Sequence, residues 1–254
     1  MKTVILCGGR GTRLGEHGKS VPKALVRIGG KPILWHLLKT YSSAGLNDFV
    51  LCLGFLGDQI REFFIERSEP VKTSPEVPNA VTIKYRPGQE NWTITLINTG
   101  LDTNTGGRIK LIEDHLKEDR MFCVTYGDGL ADIDLNKLID FHQSRTTIGT
   151  LTAVQPYSNF GILKIDDTDL IKDFQEKPRI QEWINGGFFV FTKEILDHLD
   201  EDCVLEQAPL RSLAQMDQLS AFKHRGFWKC MDTYKDNLEF NEMWSDGNAL
   251  WKVW

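Results

Sequence analysis

The sequence has few cysteines, and their spacing follows no paired motif. Its 254 residues include only Cys7, Cys52, Cys123, Cys203 and Cys230, and no two of them form a C-x-x-C pair. A scattered, odd-numbered set argues against a disulfide framework and against a cysteine zinc site. The pattern is typical of reduced, mostly buried thiols in a cytoplasmic protein.

Long apolar runs and a surplus of positive charge are also missing. The apolar run Thr3–Cys7 is too short for the core of a signal peptide, and no segment approaches the roughly 20 apolar residues that span a bilayer. The net charge of −5 argues against a broad nucleic-acid surface and confines any anion site to a local cluster. With 41% hydrophobic and 26% charged residues, the composition predicts a globular protein with no membrane or nucleic-acid partner.

Short apolar runs alternate with helical patterns along the chain. Thr3–Cys7, Asp48–Gly54 and Met121–Gly129 have the composition of buried strands, and helical periodicity follows Pro32 and Asp134. This alternation predicts an α/β fold with a parallel sheet covered on both faces, and ligands of such sheets lie beyond the carboxyl ends of the strands. The loops after the first and third of these strands should therefore lie at the same edge. Further strand patterns in the second half predict a β-rich elaboration of the same sheet.

A glycine-rich, basic loop follows the first strand. The pattern G-x-x-x-x-G-K-S ending at Ser20 requires glycine where Arg13 stands, and the pattern G-x-G-x-x-G from Gly9 requires glycine where Leu14 stands. With both of these patterns excluded, the loop has the sequence G-G-x-G-T-R, and Lys23 follows ten residues later. Glycines expose backbone N–H groups, and an arginine and a lysine supply donors for phosphate oxygens. The loop therefore predicts a phosphate-binding site.

Seven segments, in their order along the whole chain, resemble the sugar-1-phosphate nucleotidyltransferases. LCGGRGTRL with PKALVRIGGKPILWH carries the superfamily resemblance, and TGGRIK, YGDGLADID, FQEKP, INGGFFV and GFWKCMDT narrow it to the branch that joins CTP to glucose 1-phosphate. The resemblance implies a three-layer, Rossmann-like nucleotidyltransferase fold with a mostly parallel central sheet. It also implies that CTP and α-D-glucose 1-phosphate give CDP-glucose and pyrophosphate.

The implied reaction depends on positioning and on charge neutralisation. A phosphate monoester has a second pKa of about 6 and is mostly a dianion at neutral pH, so it needs little activation to attack the α-phosphorus of CTP. The resemblance assigns Asp128 and Asp232 as ligands of Mg²⁺, which prefers carboxylates, phosphate oxygens and water. Arg13 would hold the leaving pyrophosphate, and Lys23 would neutralise charge at the α-phosphate. From the residues alone, Asp128 could equally be a turn residue and Asp232 a helix N-cap.

The resemblance also assigns the residues around each substrate. The sugar phosphate would contact Lys177, Asn185 and Gly186, and Arg108 would donate either to the cytosine carbonyl or to a phosphate. The chain would form one domain over 1–254, with a nucleotide-binding part over about 1–135 and an acceptor-binding and oligomerisation part over about 136–254. The family implies a homo-oligomer, with a hexamer as one arrangement. The residues expected at the nucleotide are Leu6, Cys7, Gly8, Gly9, Gly11, Thr12, Arg13, Lys23, Thr103, Arg108 and Gly127.

The chain departs from the pattern of this branch near the expected acceptor site. Arg10, Arg27 and the segment LEQAPLRSLA, Leu205–Ala214, replace residues of different character. UTP or dTTP as the nucleotide, or another phosphorylated acceptor, therefore stays open. A non-catalytic regulator that binds nucleotide sugars would lose a metal carboxylate or the loop arginine, and this chain keeps both.

Overall fold

The computed structural model describes residues 1–11, 20–69 and 80–254. Its strands are β1 Thr3–Leu6, β2 Arg27–Ile28, β3 Lys31–Pro32, β4 Asp48–Leu53, β5 Ser68–Glu69, β6 Ala80–Tyr85, β7 Trp92–Asn98, β8 Met121–Tyr126, β9 Gly129–Ala131, β10 Gly149–Val154, β11 Ile162–Ile165, β12 Ile171–Gln175, β13 Ile184–Thr192, β14 Leu219–Lys223 and β15 Trp228–Cys230. Its α-helices are α1 Ile33–Ser43, α2 Gly57–Ile65, α3 Thr105–Leu111, α4 Glu113–Leu116, α5 Leu135–Gln143, α6 Ala208–Gln215 and α7 Tyr234–Ser245.

Nine strands form the central sheet, in the order β14-β10-β13-β8-β1-β4-β7-β6-β5. The ladders β8/β1, β1/β4, β4/β7 and β10/β14 are parallel, whereas β13 and β6 run antiparallel to both of their neighbours. Every strand except β6 and β13 therefore points in the same direction. The expected mostly parallel central sheet is confirmed.

Helices cover both faces of this sheet, so the fold has three layers. Alternate residues of β1 enter different cores, with Ile5 in one and Val4 and Leu6 in the other. The first core also receives α1, α2, α5 and α7, and the second receives α3, α4 and α6. A strand buried on both faces must be apolar along its whole length, which explains the uninterrupted run in β1.

The parallel pairing of β1 with β8 brings two distant loops together. Leu6 pairs with Tyr126, and Gly127 N donates to Leu6 O at 3.2 Å. A Cβ atom on Gly127 would lie 3.2 Å from Cys7 Sγ and 3.3 Å from Leu6 O, so this close approach favours glycine. The prediction that both loops lie at one sheet edge is confirmed. The stretch Met121–Gly129 is a strand up to Tyr126 followed by a turn at Gly127 and Asp128, as its Gly-Asp-Gly sequence predicts.

Two further features lie at the periphery of the fold. Tryptophans of the C-terminal segment pack against α1, where Trp251 is fully buried and its Nε1 donates to His36 Nδ1 at 3.3 Å. In contrast, the two-stranded ribbon of β11 and β12 leaves large apolar side chains in solvent; Phe160 is 78% exposed and Phe174 is 63% exposed. Among the described residues, no helix has the length and apolar character needed to cross a bilayer.

Candidate active site

A lysine and two aspartates from three separate segments meet beyond the carboxyl ends of β1 and β8. Lys23 Nζ donates to Asp128 Oδ2 at 2.6 Å and to Asp232 Oδ1 at 2.7 Å. Lys23 begins a short 3-10 turn after Pro22, and Asp128 lies in the turn between β8 and β9. The cluster therefore joins residues that are 105 and 209 positions apart in the sequence.

The pairing of β9 with β15 places Asp232 in this cluster. Cys230 pairs with Gly129, and Met231 N donates to Asp128 O at 2.9 Å. The N-cap of α7 is Thr233, whose Oγ1 accepts from Asp236 N at 3.2 Å, and not Asp232. Because Thr233 caps the helix, the Asp232 carboxylate can face Lys23 instead.

The two carboxylates keep Lys23 charged. Burial alone would lower the pKa of Lys23, but attraction to Asp128 and Asp232 outweighs burial and raises that pKa above its ordinary value. Burial and the nearby Asp232 carboxylate also raise the pKa of the Cys230 thiol to about 12. At neutral pH the Lys23 amine and the Cys230 thiol are therefore both protonated.

The same pair of carboxylates fits Mg²⁺. Their oxygens already converge on one cation, the Lys23 ammonium, and hard oxygen donors are the ligands that Mg²⁺ prefers. Within the ranges 1–11, 20–69 and 80–254, no group of three or more His, Cys, Asp or Glu side chains could hold a metal. Two carboxylates suit an ion that keeps positions for water and for substrate phosphates.

A cavity of about 320 Å³ opens between the first loop and this cluster, and we call it the loop cavity. It contains most of the residues that the sequence assigns to the nucleotide and both expected metal ligands. Two more of the expected residues, Thr12 and Arg13, lie outside the described residues. The loop cavity is lined by Leu6, Cys7, Gly9, Gly11, Lys23, Ala24, Gly127, Asp128 and Asp232.

Arg108 lies behind the loop cavity and does not line it. The side chain is only 5% exposed, and its guanidinium donates to Gly8 O at 3.2 Å, Leu53 O at 3.0 Å and Gly100 O at 2.8 Å. A Cβ atom on Gly8 would lie 2.1 Å from Arg108 Cζ, so the arginine fits only beneath a glycine. Arg108 thus binds the backbone that supports the first loop. The nucleotide contact expected of it from the sequence stays a prediction.

Thr103 is likewise absent from the residues that line the loop cavity. Its Oγ1 donates to Thr99 O at 2.6 Å, within the turn that carries Gly100. Arg108 Nη1 donates to the Thr99 hydroxyl at 2.7 Å, so hydrogen bonds from Thr103 and from Arg108 stabilise the same turn. Both residues therefore contact the backbone around the cavity and not its interior.

A second cavity, of about 430 Å³, meets the loop cavity at the two aspartates, and we call it the Asn185 cavity. Asn185 and Gly186, both assigned to the acceptor from the sequence, lie in its wall. Asn185 Oδ1 accepts from Gly187 N at 2.9 Å, and Trp228 Nε1 donates to Gly186 O at 2.7 Å. The Asn185 cavity is lined by Thr125, Tyr126, Asp128, Gly129, Asn185, Gly186, Glu206, Trp228, Cys230 and Asp232.

Tyr126 and Glu206 are wall residues that the sequence does not assign to the acceptor. The Tyr126 hydroxyl donates to Glu206 Oε1, and Asn185 Nδ2 donates to the Tyr126 hydroxyl at 3.3 Å. Glu206 lies in the unusual segment Leu205–Ala214, so the departure from the family pattern marks the region without singling out this residue.

Lys177 lies in neither cavity. It lines a third cavity, of about 730 Å³, beside the base of the β11–β12 ribbon, together with Arg179 and Arg225. Its backbone has a left-handed φ of 47°, which is uncommon for a residue other than glycine and is often retained at functional sites. Lys177 therefore lines a different cavity from Asn185 and Gly186, and Trp228 lines both cavities.

Comparisons with known proteins show the family and support the fold. The model of the nucleotidyl transferase family matches residues 2–246. The glucose-1-phosphate cytidylyltransferase of Salmonella typhi is 43% identical over 258 aligned positions that cover 100% of both chains. The mannose-1-phosphate guanyltransferase of Saccharomyces cerevisiae is 30% identical, over 94% of this chain and 63% of that protein. The crystal structure of HddC from Yersinia pseudotuberculosis superposes with a TM-score of 0.69 at 24% identity, covering 96% of this chain and 99% of that chain, which supports the fold.

Proposed function

Because this chain belongs to the nucleotidyl transferase family, we propose that it joins CTP to α-D-glucose 1-phosphate and releases CDP-glucose and pyrophosphate. The full-length similarity to glucose-1-phosphate cytidylyltransferases supports this choice of substrates. One structural observation carries the proposal: two cavities, each large enough for part of a substrate, meet at Asp128 and Asp232.

The arrangement gives each substrate its own cavity. CTP would lie in the loop cavity, with its base against the backbone of Leu6–Gly9, and the sugar would lie in the Asn185 cavity. The α-phosphorus of CTP and the phosphate of the acceptor would then meet at the shared aspartates. Holding two reactants in this way converts a bimolecular step into an effectively unimolecular one.

Asp128 and Asp232 would hold Mg²⁺. The bound ion would neutralise phosphate charge and orient the triphosphate for in-line displacement. Lys23 contacts both aspartates, so its ammonium lies within reach of any phosphate that they gather. We expect Lys23 to neutralise charge at the α-phosphate, and Arg13 to hold the departing pyrophosphate.

The acceptor phosphate serves as the nucleophile without help from a protein base. As a dianion it attacks the α-phosphorus, and the bond to the pyrophosphate leaving group breaks. The two cysteines at the cavities are unsuited to nucleophilic catalysis, because burial raises the pKa of Cys7 and of Cys230 and keeps both thiols protonated. The chain contributes mainly orientation and positive charge.

Pyrophosphate release tests the proposal directly. The purified protein should release pyrophosphate from CTP with glucose 1-phosphate and Mg²⁺, and much more slowly when UTP or dTTP replaces CTP. High turnover with UTP and none with CTP would contradict the cytidylyl assignment. Turnover only with a different phosphorylated acceptor would keep the reaction class and replace glucose.

We also propose that the protein is a homo-oligomer in which Lys177 serves the Asn185 cavity of a neighbouring copy. The support is that Lys177 lies outside its own Asn185 cavity, next to a ribbon with exposed apolar side chains such as Phe160 and Phe174. Isolated two-stranded ribbons are marginally stable, and large exposed apolar patches mark interaction surfaces.

Complementation tests this sharing of sites. Asp128→Asn and Lys177→Ala, each inactive alone, should recover part of the activity when they are refolded together, because mixed oligomers contain sites with both residues intact. No recovery in mixed oligomers would show that Lys177 acts within its own chain or not at all.

A further inference from the structure

The Asn185 cavity contains one carboxylate that has no place in the proposed metal site. Glu206 precedes α6, and its two oxygens accept from different hydroxyl groups. Oε1 accepts from Tyr126, and Oε2 accepts from Thr105 Oγ1 at 2.7 Å. Thr105 Oγ1 is itself fixed, because it accepts from Leu205 N at 2.9 Å. The carboxylate is therefore held in one orientation, and each oxygen keeps acceptor capacity for a further hydroxyl group.

Among the described residues, no positively charged side chain lines the Asn185 cavity beside Glu206. Burial and the Glu206 carboxylate itself raise the pKa of the Tyr126 phenol, so the phenol stays protonated and uncharged. Asn185 is neutral, and the described residues that line the Asn185 cavity include no lysine, arginine or histidine. Glu206 can thus interact with a sugar either as an acceptor of hydroxyl hydrogen bonds or as a repelling negative charge.

The Asn185 cavity also contains Asp128 and Asp232, which hold the Lys23 ammonium and would take Mg²⁺. Because the two carboxylates outnumber the one ammonium, it is a bound Mg²⁺ that would draw the phosphate of a sugar 1-phosphate to this pair. The hydroxyl groups of the sugar would then be left to face Glu206. A second anionic group on the sugar would meet the uncompensated carboxylate within a cavity of about 430 Å³, where distances are shorter than the screening length of about 8–10 Å.

We propose that Glu206 is a specificity-determining residue that binds the hydroxyl groups of an uncharged sugar and excludes sugar 1-phosphates that carry a second negative charge. The proposal rests on the proposed function, because it takes the Asn185 cavity as the acceptor cavity. Hydrogen bonds to a charged acceptor are stronger than neutral ones, and juxtaposed like charges reject the wrong partner. One carboxylate thereby favours a neutral sugar and disfavours an acidic one.

Two acceptors that differ in one group provide the test. α-D-Glucose 1-phosphate and α-D-glucuronic acid 1-phosphate share the ring and the phosphate, but the second carries a carboxylate at C6. Each is titrated calorimetrically into wild type and Glu206→Gln, loaded with Mg²⁺ and with a CTP analogue whose α–β bridge is a methylene group. Gln keeps the size of Glu and can still bond to Tyr126 and Thr105, so this variant should fold, as its melting curve can verify.

The wild type should bind glucose 1-phosphate at least about 100-fold more tightly than glucuronic acid 1-phosphate. In Glu206→Gln, glucose 1-phosphate should bind about 10-fold more weakly and glucuronic acid 1-phosphate about 10-fold more tightly, so the preference should shrink about 100-fold. Glu201→Gln removes a charge from the same segment, at a residue that does not line the Asn185 cavity, and should keep the wild-type preference.

An unchanged preference in Glu206→Gln would overturn the proposal, as would an equal change in Glu201→Gln or a failure of glucose 1-phosphate to bind the wild type. A failure of the proposed function would be detected in a separate turnover assay, because the wild type would then form no CDP-glucose from CTP and glucose 1-phosphate. The ratio of binding constants tests Glu206, and formation of CDP-glucose tests the proposed function.

Discussion

The loop cavity and the Asn185 cavity share two aspartates, yet the chain builds them in different ways. The loop cavity lies beyond the ends of adjacent parallel strands, β1 and β8, and most of its wall comes from one continuous loop and one turn. The Asn185 cavity takes its wall from β8, the antiparallel strand β13, the segment before α6 and β15. Loops that directly follow two strands of recognisable composition can be located in a sequence, whereas a surface assembled from four distant segments depends on the whole fold.

The largest expected effect is at the boundary between the cavities. Asp128→Asn and Asp232→Asn should each lower kcat by roughly 10³-fold, because each removes a charged metal ligand that both cavities share. The affinity for Mn²⁺, measured by electron paramagnetic resonance, should fall as well.

Asp134→Asn is the matched control for both variants. Asp134 is the N-cap of α5, where its Oδ1 accepts from Lys137 N at 3.1 Å, and asparagine caps a helix about as well. Activity and Mn²⁺ affinity should therefore stay near those of the wild type. If Asp128→Asn kept normal kcat, the boundary would not be the reacting centre.

Lys23→Met should have the next largest effect. We expect kcat to fall by about 10²–10³-fold with a smaller change in KM, because the ammonium is expected to interact most strongly as charge moves in the transition state. Steady-state kinetics with CTP and with glucose 1-phosphate measure both constants. A rise in KM for CTP at normal kcat would instead assign Lys23 to ground-state binding.

Arg108→Met should weaken the loop cavity without affecting the Asn185 cavity. Several carbonyl groups that now accept from the guanidinium would lose their partner, which should lower the free energy of unfolding by about 3 kcal/mol and raise KM for CTP. Urea denaturation and kinetics measure the two effects.

Lys117→Met provides the comparison for Arg108→Met, because Lys117 forms only an exposed ion pair with Asp114. The free energy of unfolding should stay close to that of the wild type. A stable Arg108→Met with normal KM for CTP would show that the guanidinium does not support the loop.

Asn185→Ala should have the smallest effect and should act on the other cavity. Losing the bonds to Gly187 N and to the Tyr126 hydroxyl should raise KM for glucose 1-phosphate about 3- to 10-fold. KM for CTP should stay the same, because Asn185 does not line the loop cavity. Equal rises in both KM values would mean that the cavities are not separate.

The same contrast explains how much of the molecule could be predicted from its sequence. The uninterrupted apolar residues of β1 and β8 predict parallel strands, and that geometry alone brings their loops to one edge. The burial of Arg108 has no such signature. Its partners are backbone carbonyls of Gly8, Leu53 and Gly100, and a carbonyl group is present at every residue.

The short ladder between β9 and β15 also could not be predicted from the residues alone. Each of these strands has three residues, too few for a periodic pattern, yet their pairing places Asp232 beside Asp128. Only the family resemblance of GFWKCMDT indicated Asp232. The sequence likewise gives no sign that Tyr126 and Glu206 face each other, because β8 and the segment before α6 are 80 positions apart.

The central claim is that one metal ion at Asp128 and Asp232 joins two substrates held in separate cavities. The most direct measurement is a crystal structure with Mn²⁺ in place of Mg²⁺, the methylene analogue of CTP and glucose 1-phosphate, with manganese located by anomalous scattering. We expect manganese about 2.1 Å from oxygens of both aspartates, cytosine in the loop cavity and glucose in the Asn185 cavity. Manganese away from these aspartates, or both substrates in one cavity, would contradict the account.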